Sequence, residues 1–364
     1  MRFITAILKE EPEMKNNSSA SDKPVSIFAK VYNYFSSFKG PGFYRTDNVV
    51  YHPFNVILQK EISDHVRSWR FIILLVIIFL TCLGSMYTAL TTIRDAIKPN
   101  DPEGSFVFLK LFTSSDGTLP SFVVFLGFLG PLLGISLGFD SVNSEQNKGT
   151  LSRILSQPIH RDYLLNAKFL AALTVISVMF FALGFLVMGF GLVTIGIPPT
   201  PGEFMRIVVF ILVSIIYVAF WLNLSILFSV KFRQPATAAL SGIAIWLFFS
   251  VFYGMIVDLI TKGMAPTGLA TESQIINFEL LRINLSRFSP SQLFSDATTT
   301  LLMPGVRSLG PLSMIKVLGT VPGPLSLGQS LMLVWPQITG LIAGTVICFV
   351  ISYTSFMRKE IRSR

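Results

Sequence analysis

Charged residues are scarce in this chain of 364 residues: Lys, Arg, Asp and Glu together make up 13% of it, about half the share of a soluble domain. Hydrophobic residues make up 51%. A soluble protein this apolar would expose adhesive surface and aggregate, which excludes an ordinary soluble globular protein. Cysteine is nearly missing. Cys82 and Cys348 both lie inside apolar runs, where they read as packing residues rather than a disulfide or a metal pair. Histidine is as rare: His52, His65 and His160 fall in polar segments, apart from any nucleophile. No Cys/His cluster has metal-ligand spacing. HExxH and paired acids within an apolar run are absent, which disfavours an intramembrane enzyme. A phosphate loop of the form GxxxxGKS or GxxxxGKT is also absent, so the chain carries no ATP-hydrolysing motif of its own. No basic run is interleaved with aromatics, so nucleic acid is not an expected partner. The net charge of +9 fits a membrane protein that gathers Lys and Arg on one side.

Long apolar runs are plentiful. A helix needs roughly 20 apolar residues to cross the hydrocarbon core. Six stretches qualify: 71–93, 119–139, 169–193, 207–230, 236–260 and 331–357. They are almost free of charge, as expected when a mid-membrane charge costs about 2.5–3.5 kcal/mol. Asp258 sits one turn from the end of the fifth. Such emptiness argues against an ion pump built on a carboxylate relay. With no detectable inverted repeat, it also argues against a secondary transporter. Basic residues precede the first run (Lys60, Arg67, Arg70) and lie between the second and third (Lys148, Arg153, Arg161, Lys168). More lie between the fourth and fifth (Lys231, Arg233) and after the sixth (Arg358, Lys359, Arg362, Arg364). With six alternating spans these all fall on one side, so both termini are expected in the cytoplasm. The expected fold class is an all-α, multi-pass cell-membrane protein of six transmembrane helices. An amphipathic interfacial helix precedes the first span, and a helical outer loop joins spans five and six.

The chain divides into a polar cytoplasmic tail (1–48), an interfacial helix (49–70), spans one to five (71–260) with a cytoplasmic loop at 140–168, an outer loop (261–330), and span six with a basic tail (331–364). The tail has no sustained apolar core and does not read as a secretory signal. Its composition predicts partial disorder, with an aromatic patch at 27–38. In FNVILQKEISDHVRSW, Phe54, Ile57, Leu58, Ile62, Val66 and Trp69 make one helical stripe beside Lys60 and Glu61. Such a helix is expected in the interface plane, with Trp69 at headgroup depth. The alternative is a plain cytoplasmic extension of the first span. Gly130, Gly134 and Gly138 recur every four residues. They mark either a close helix contact, within the chain or between copies, or a flexible helix kinked near Pro131. Asn223 reads as interhelical glue ahead of a substrate ligand. In the outer loop, SPSQ at 289–292 reads as a capping box with proline at the first helical position. Leu293, Phe294, Ala297, Leu301 and Leu302 come next at helical spacing. An amphipathic helix over 290–303 is therefore expected at the outer membrane face, as a gate or as a packing lid.

The loop EQNKGTLSRILSQPIHRDYLLNAK, 145–168, is the most informative stretch. Gly149 breaks the chain, Thr150 can cap the turns after it, and Pro158 stops them. Leu151, Ile154 and Leu155 share one face; Lys148, Arg153 and Arg161 supply positive charge; Lys168 marks the interface. A two-turn helix cannot hold itself in water. Its face must dock on the bilayer, on its own bundle or in a partner groove.

At these residues the sequence resembles the membrane subunits of ABC transporters of the type-2 exporter class. In those permeases the loop between spans two and three reads acid, three residues, Gly-Thr-Leu, then Pro-x-x-Arg and a Lys entering span three. This chain has Glu145, Gly149, Thr150, Leu151, Pro158, Arg161 and Lys168 at those places. The helix with Lys60-Glu61 resembles the family's connecting helix, and the segment between spans five and six its outer re-entrant helices. The resemblance implies that two such subunits pair, as a homodimer or heterodimer, and that each binds a separate cytosolic ATPase holding ATP and Mg. This chain then needs no cofactor or metal. The stretch 150–157 becomes the coupling helix, with an apolar face for an ATPase cleft. Glu145, Gly149, Thr150, Leu151, Arg153, Ile154, Leu155, Pro158 and Arg161 become its coupling residues. LSLGQ at 325–329 looks like an ATP-binding cassette signature but abuts the outer side of span six, where there is no ATP, and is read as a decoy. The cargo is left open among a lipid, a peptide, an amphiphilic drug, a copper-site maturation substrate and a polysaccharide. A membrane anchor or sensor that recruits a cytosolic partner without transport is the alternative function.

Overall fold

The computed structural model describes residues 53–96, 106–156, 159–196, 198–265, 271–306, 308–309 and 323–359. The expected tail at 1–48 and the basic residues Arg362 and Arg364 lie outside them. In chain order the helices are α1 (Pro53–Val66), α2 (Trp69–Ala96), α3 (Val107–Thr113), α4 (Phe122–Gly138), α5 (Asn143–Asn147), α6 (Thr150–Leu155), α7 (Arg161–Ile195), α8 (Pro201–Lys231), α9 (Pro235–Leu247), a π-helical turn (Phe248–Phe252), α10 (Tyr253–Lys262), α11 (Glu272–Ser286), α12 (Pro290–Leu302) and α13 (Leu327–Arg358). No strand occurs among the described residues. Six helical stretches are long and apolar enough to span a membrane. They are Trp69–Ile93, Phe122–Asn147, Arg161–Ile195, Pro201–Lys231, Pro235–Lys262 and Leu327–Arg358, spans one to six, and each covers most of one apolar run.

Side-chain caps set several of the ends. Ser68 separates α1 from span one: its Oγ donates to the His65 carbonyl at 2.9 Å and accepts from the Phe71 N–H at 3.3 Å. α1 is therefore a separate element from the first span. Thr200 and Glu203 form a capping box on α8, with proline at its first position. Ser326 and Gln329 form another on α13. The LSLGQ motif is thus the start signal of span six, because a serine with a glutamine three residues on satisfies free N–H groups at both positions.

Span four is the most enclosed of the six and span five the least. Span four packs on α4, α7, α12 and α13. Its contact with α4 depends on missing side chains. A Cβ at Gly134 would lie 2.8 Å from the Val218 carbonyl oxygen, and one at Gly138 would lie 2.8 Å from that of Leu222. A Cβ at Gly130 would meet Val218 Cγ2 at 2.9 Å. The glycine stripe is used here inside one chain, backbone against backbone. Asn223, buried in span four, reaches the Thr345 carbonyl of span six at 3.5 Å.

The outer segment corrects the sequence reading in three places. α12 covers the expected residues, but Phe294, Ala297, Leu301 and Leu302 are buried within the bundle rather than resting on its rim. Phe294 stacks on Tyr217 of span four with ring centres 4.3 Å apart. The capping box at Ser289 does not form. Its hydroxyl donates instead to the Phe249 carbonyl at 3.2 Å, inside the π turn of span five, where the regular helical ladder is interrupted. The helix α3 was not expected, and α11 was expected only as part of a helical outer loop. α3 is buried, and a single carboxylate ties it to span four: Glu203 Oε1 accepts the Phe108 N–H at 3.0 Å, while Oε2 accepts the Thr200 N–H and hydroxyl.

Candidate functional site

At the basic end of the bundle a short stretch gathers the ends of several spans. Lys168, in the second turn of α7, is 3% exposed although charged. Its Nζ lies 2.8 Å from Glu145 Oε1 and 3.0 Å from Glu61 Oε1. Lys60 Nζ joins from α1, at 2.8 Å from the same Glu61 oxygen, 3.1 Å from Asp64 Oδ2 and 3.6 Å from Glu145 Oε1. Three elements, α1, α5 and α7, are thus joined through one charge cluster. Ions are costly to bury unless each meets an opposite charge, and here each buried charge does. Burial opposes ionisation of Glu61, but the ammonium groups of Lys168 and Lys60 hold its carboxyl below the usual range. Burial also opposes charge on Lys60, yet Glu61, Asp64 and Glu145 raise it above an ordinary lysine. For His65, burial prevails and pushes the imidazole below its usual value, against the pull of Glu61.

α5 is tied at successive residues. Ser229 Oγ of span four accepts the N–H groups of Val142 and Asn143 at 2.9 and 3.2 Å. Glu145 reaches Lys168. Gln146 Oε1 accepts from Lys359, at the end of span six, at 3.0 Å. Asn147 Nδ2 donates to the Arg233 carbonyl, beyond the end of span four, at 2.9 Å. Nearby, Arg70 at the start of span one pairs with Asp140 at 2.7 Å and lies over the Phe139 ring at 4.9 Å.

α6 comes next. Gly149 precedes it with φ of 69°, a left-handed conformation that glycine adopts without a Cβ penalty. Thr150 is therefore not the cap; it is the first helical residue, and its hydroxyl donates back to the Glu145 carbonyl at 3.2 Å. Leu151 is buried at 2% exposure and Ile154 packs on the same core. Leu151 and Ile154 thus pack on the protein's own bundle, where the expectation was an apolar face for a partner cleft. Lys148, Gly149, Arg153 and Ser156 are exposed instead, as is Arg161 at the start of α7. The side chain of Leu155 and all of Gln157 and Pro158 lie outside the described residues. Trp69, the first residue of α2, is about half exposed.

The cluster brings together residues that the sequence assigned to separate roles: Lys60 and Glu61 to the interfacial helix, Glu145 to the loop, Lys168 to the membrane boundary. Lys168 is a buried hub. Asn143, Ser229 and Lys359 were missed as participants. Lys168 and Glu61 are separated by 107 residues, and Lys359 and Gln146 by 213; no local spacing signals such pairs.

A family model described as ABC-2 family transporter protein matches residues 55–361. The chain belongs to that family of ABC transporter membrane subunits. A curated relative, the probable ABC transporter permease protein NosY of Pseudomonas aeruginosa, is 27% identical over 188 residues, which cover 49% of this chain and 66% of the relative. Family and spans together make this a multi-pass membrane permease.

Proposed function

We propose that the chain is the membrane-spanning subunit of an ATP-driven exporter of the plasma membrane. It pairs with a second permease subunit and is driven by a separate cytosolic ATPase. The basic end of the bundle faces the cytoplasm, as the excess of Lys and Arg there supports. The observation that carries the reading is the hold on Lys168 by Glu61 and Glu145. It joins α5 and α6 stiffly to α1 and to span three. A stiff joint passes on a displacement that a loose loop would absorb. Closure of the ATPase dimer on ATP and Mg then moves α6 as a lever, and the spans tilt to open a path outward. With Leu151 turned inward, the ATPase grips the exposed edge of Lys148, Gly149, Arg153 and Ser156.

The test is purification of the chain with its ATPase. Arg153→Glu should lower ATP turnover by the complex while membrane insertion and melting temperature stay unchanged, since Arg153 is exposed. Glu145→Lys strikes the joint itself and should lower both turnover and stability. Normal turnover by Arg153→Glu would remove the handle from the scheme. Recruitment of an ATPase without vectorial movement in proteoliposomes would make the protein an anchor or sensor instead.

A further inference from the structure

We infer that Lys359 is a positioning residue that carries the movement of α5 into span six; this rests on the proposed drive of α5 and α6 by an ATPase. Lys359 closes the C-terminal end of α13. Its Nζ donates to the Val230 carbonyl, in the last turn of span four, at 2.6 Å, and to Gln146 Oε1 of α5 at 3.0 Å. No carboxylate lies within ion-pair distance of it among the described residues. An ammonium half-buried without a carboxylate costs free energy. Here its charge is directed at a carbonyl at the negative end of a helix and at one amide of α5. Burial and the neighbouring Arg233 lower its proton affinity, a strain on the charge that both hydrogen bonds offset.

The placement explains how a five-residue helix can address a distant span. α5 reaches span three through Glu145 and span four through Ser229. It comes after span two in the chain, beyond a short turn. Its tie to span six is the pair Gln146–Lys359. Cutting that pair leaves the other ties intact, so span six alone should stop following the ATPase. At its far end span six packs on α12, and Ser330 there accepts from Arg206 at 3.1 Å. The pin therefore links α5, through span six, to α12.

The experiment uses the full chain with its ATPase in proteoliposomes, with Cys82 and Cys348 replaced by alanine. Single cysteines at Met332 and Val193, both 83% exposed and near the outer ends of spans six and three, carry an environment-sensitive fluorophore. ATP with vanadate should shift the spectrum at both positions in the parent. In Lys359→Met the shift at position 332 should be lost and that at 193 kept. Gln146→Leu should reproduce this pattern without altering the lysine, which guards against a folding defect in the first variant. Lys359→Arg, which keeps charge and donors, should restore the response at 332. An unchanged response at 332 in both Lys359→Met and Gln146→Leu overturns the pin, as does equal loss at 332 and 193. No shift at either position in the parent defeats the coupling scheme itself, and the pin falls with it.

Discussion

The two ends of the bundle each bury a cation, and they treat it differently. At the basic end Lys168 meets two carboxylates, Glu61 and Glu145. At the opposite end Arg206, 2% exposed, meets none among the described residues. Its guanidinium donates to the Leu301 carbonyl at the end of α12, to the Leu325 carbonyl just before span six, and to Ser330. The nearby Glu203 is occupied in capping two helices. Paired ions hold separate elements strongly but respond to pH and charge reversal. A guanidinium on carbonyls is insensitive to mild acid and fixes loop ends by geometry. One end is a joint of paired charges, the other a clamp of carbonyls.

The largest effect that would break this contrast is at Lys168. Lys168→Met leaves the carboxylates of Glu61 and Glu145 to the half-exposed Lys60 alone, and removing one partner of a buried ion pair costs about 3–5 kcal/mol. Thermal unfolding in detergent should show the loss, and adding Glu61→Gln and Glu145→Gln should recover part of it. At the clamp, Arg206→Met removes hydrogen bonds from a charged donor, worth about 1.5–3 kcal/mol. Its signature should be faster proteolysis of the outer segment 303–325 with the basic end still protected. If Arg206→Met loosens the basic end equally, the two ends are not separate devices.

A smaller effect is expected at Ser326, the cap of span six. Ser326→Ala should cost about 1 kcal/mol, read as a lowered melting temperature. The smallest is a pH effect confined to the joint. His65 has a folded-state proton affinity below its ordinary value of 6.5. The unfolded chain therefore takes up the proton first, and stability falls as pH drops below 6.5 towards the folded value. Glu61, with its pKa lowered from 4.5, adds a loss only when pH falls below that value. Melting temperatures measured between pH 7 and 5 should decline in the parent and flatten in His65→Gln. Arg206→Met should leave that slope unchanged.

The six spans were legible because bilayer thickness imposes a length on any apolar run, and length is a property of sequence. So were the loop break at Gly149 and the separate helix before span one, since both rest on local backbone and side-chain chemistry. Thr150 and Ser289 show the limit of the same reasoning. Each is a competent capping residue, but Gly149 holds the left-handed position in one case, and in the other the Phe249 carbonyl claims the hydroxyl. α11 has a capping box at Thr271 and Gln274 that the sequence could have revealed.

Sequence alone determined that this chain crosses a membrane six times, which end is basic, and that it lacks an ATPase motif, because hydropathy, charge and motifs need no partner to exist. Tertiary structure decided that Lys168 is a hub, that Leu151 faces inward, and that Lys359 touches α5. Each of these depends on which surfaces meet after the spans pack. The close approach of spans two and four over Gly134 and Gly138 belongs to that packing, bringing residues far apart in the chain within hydrogen-bond reach.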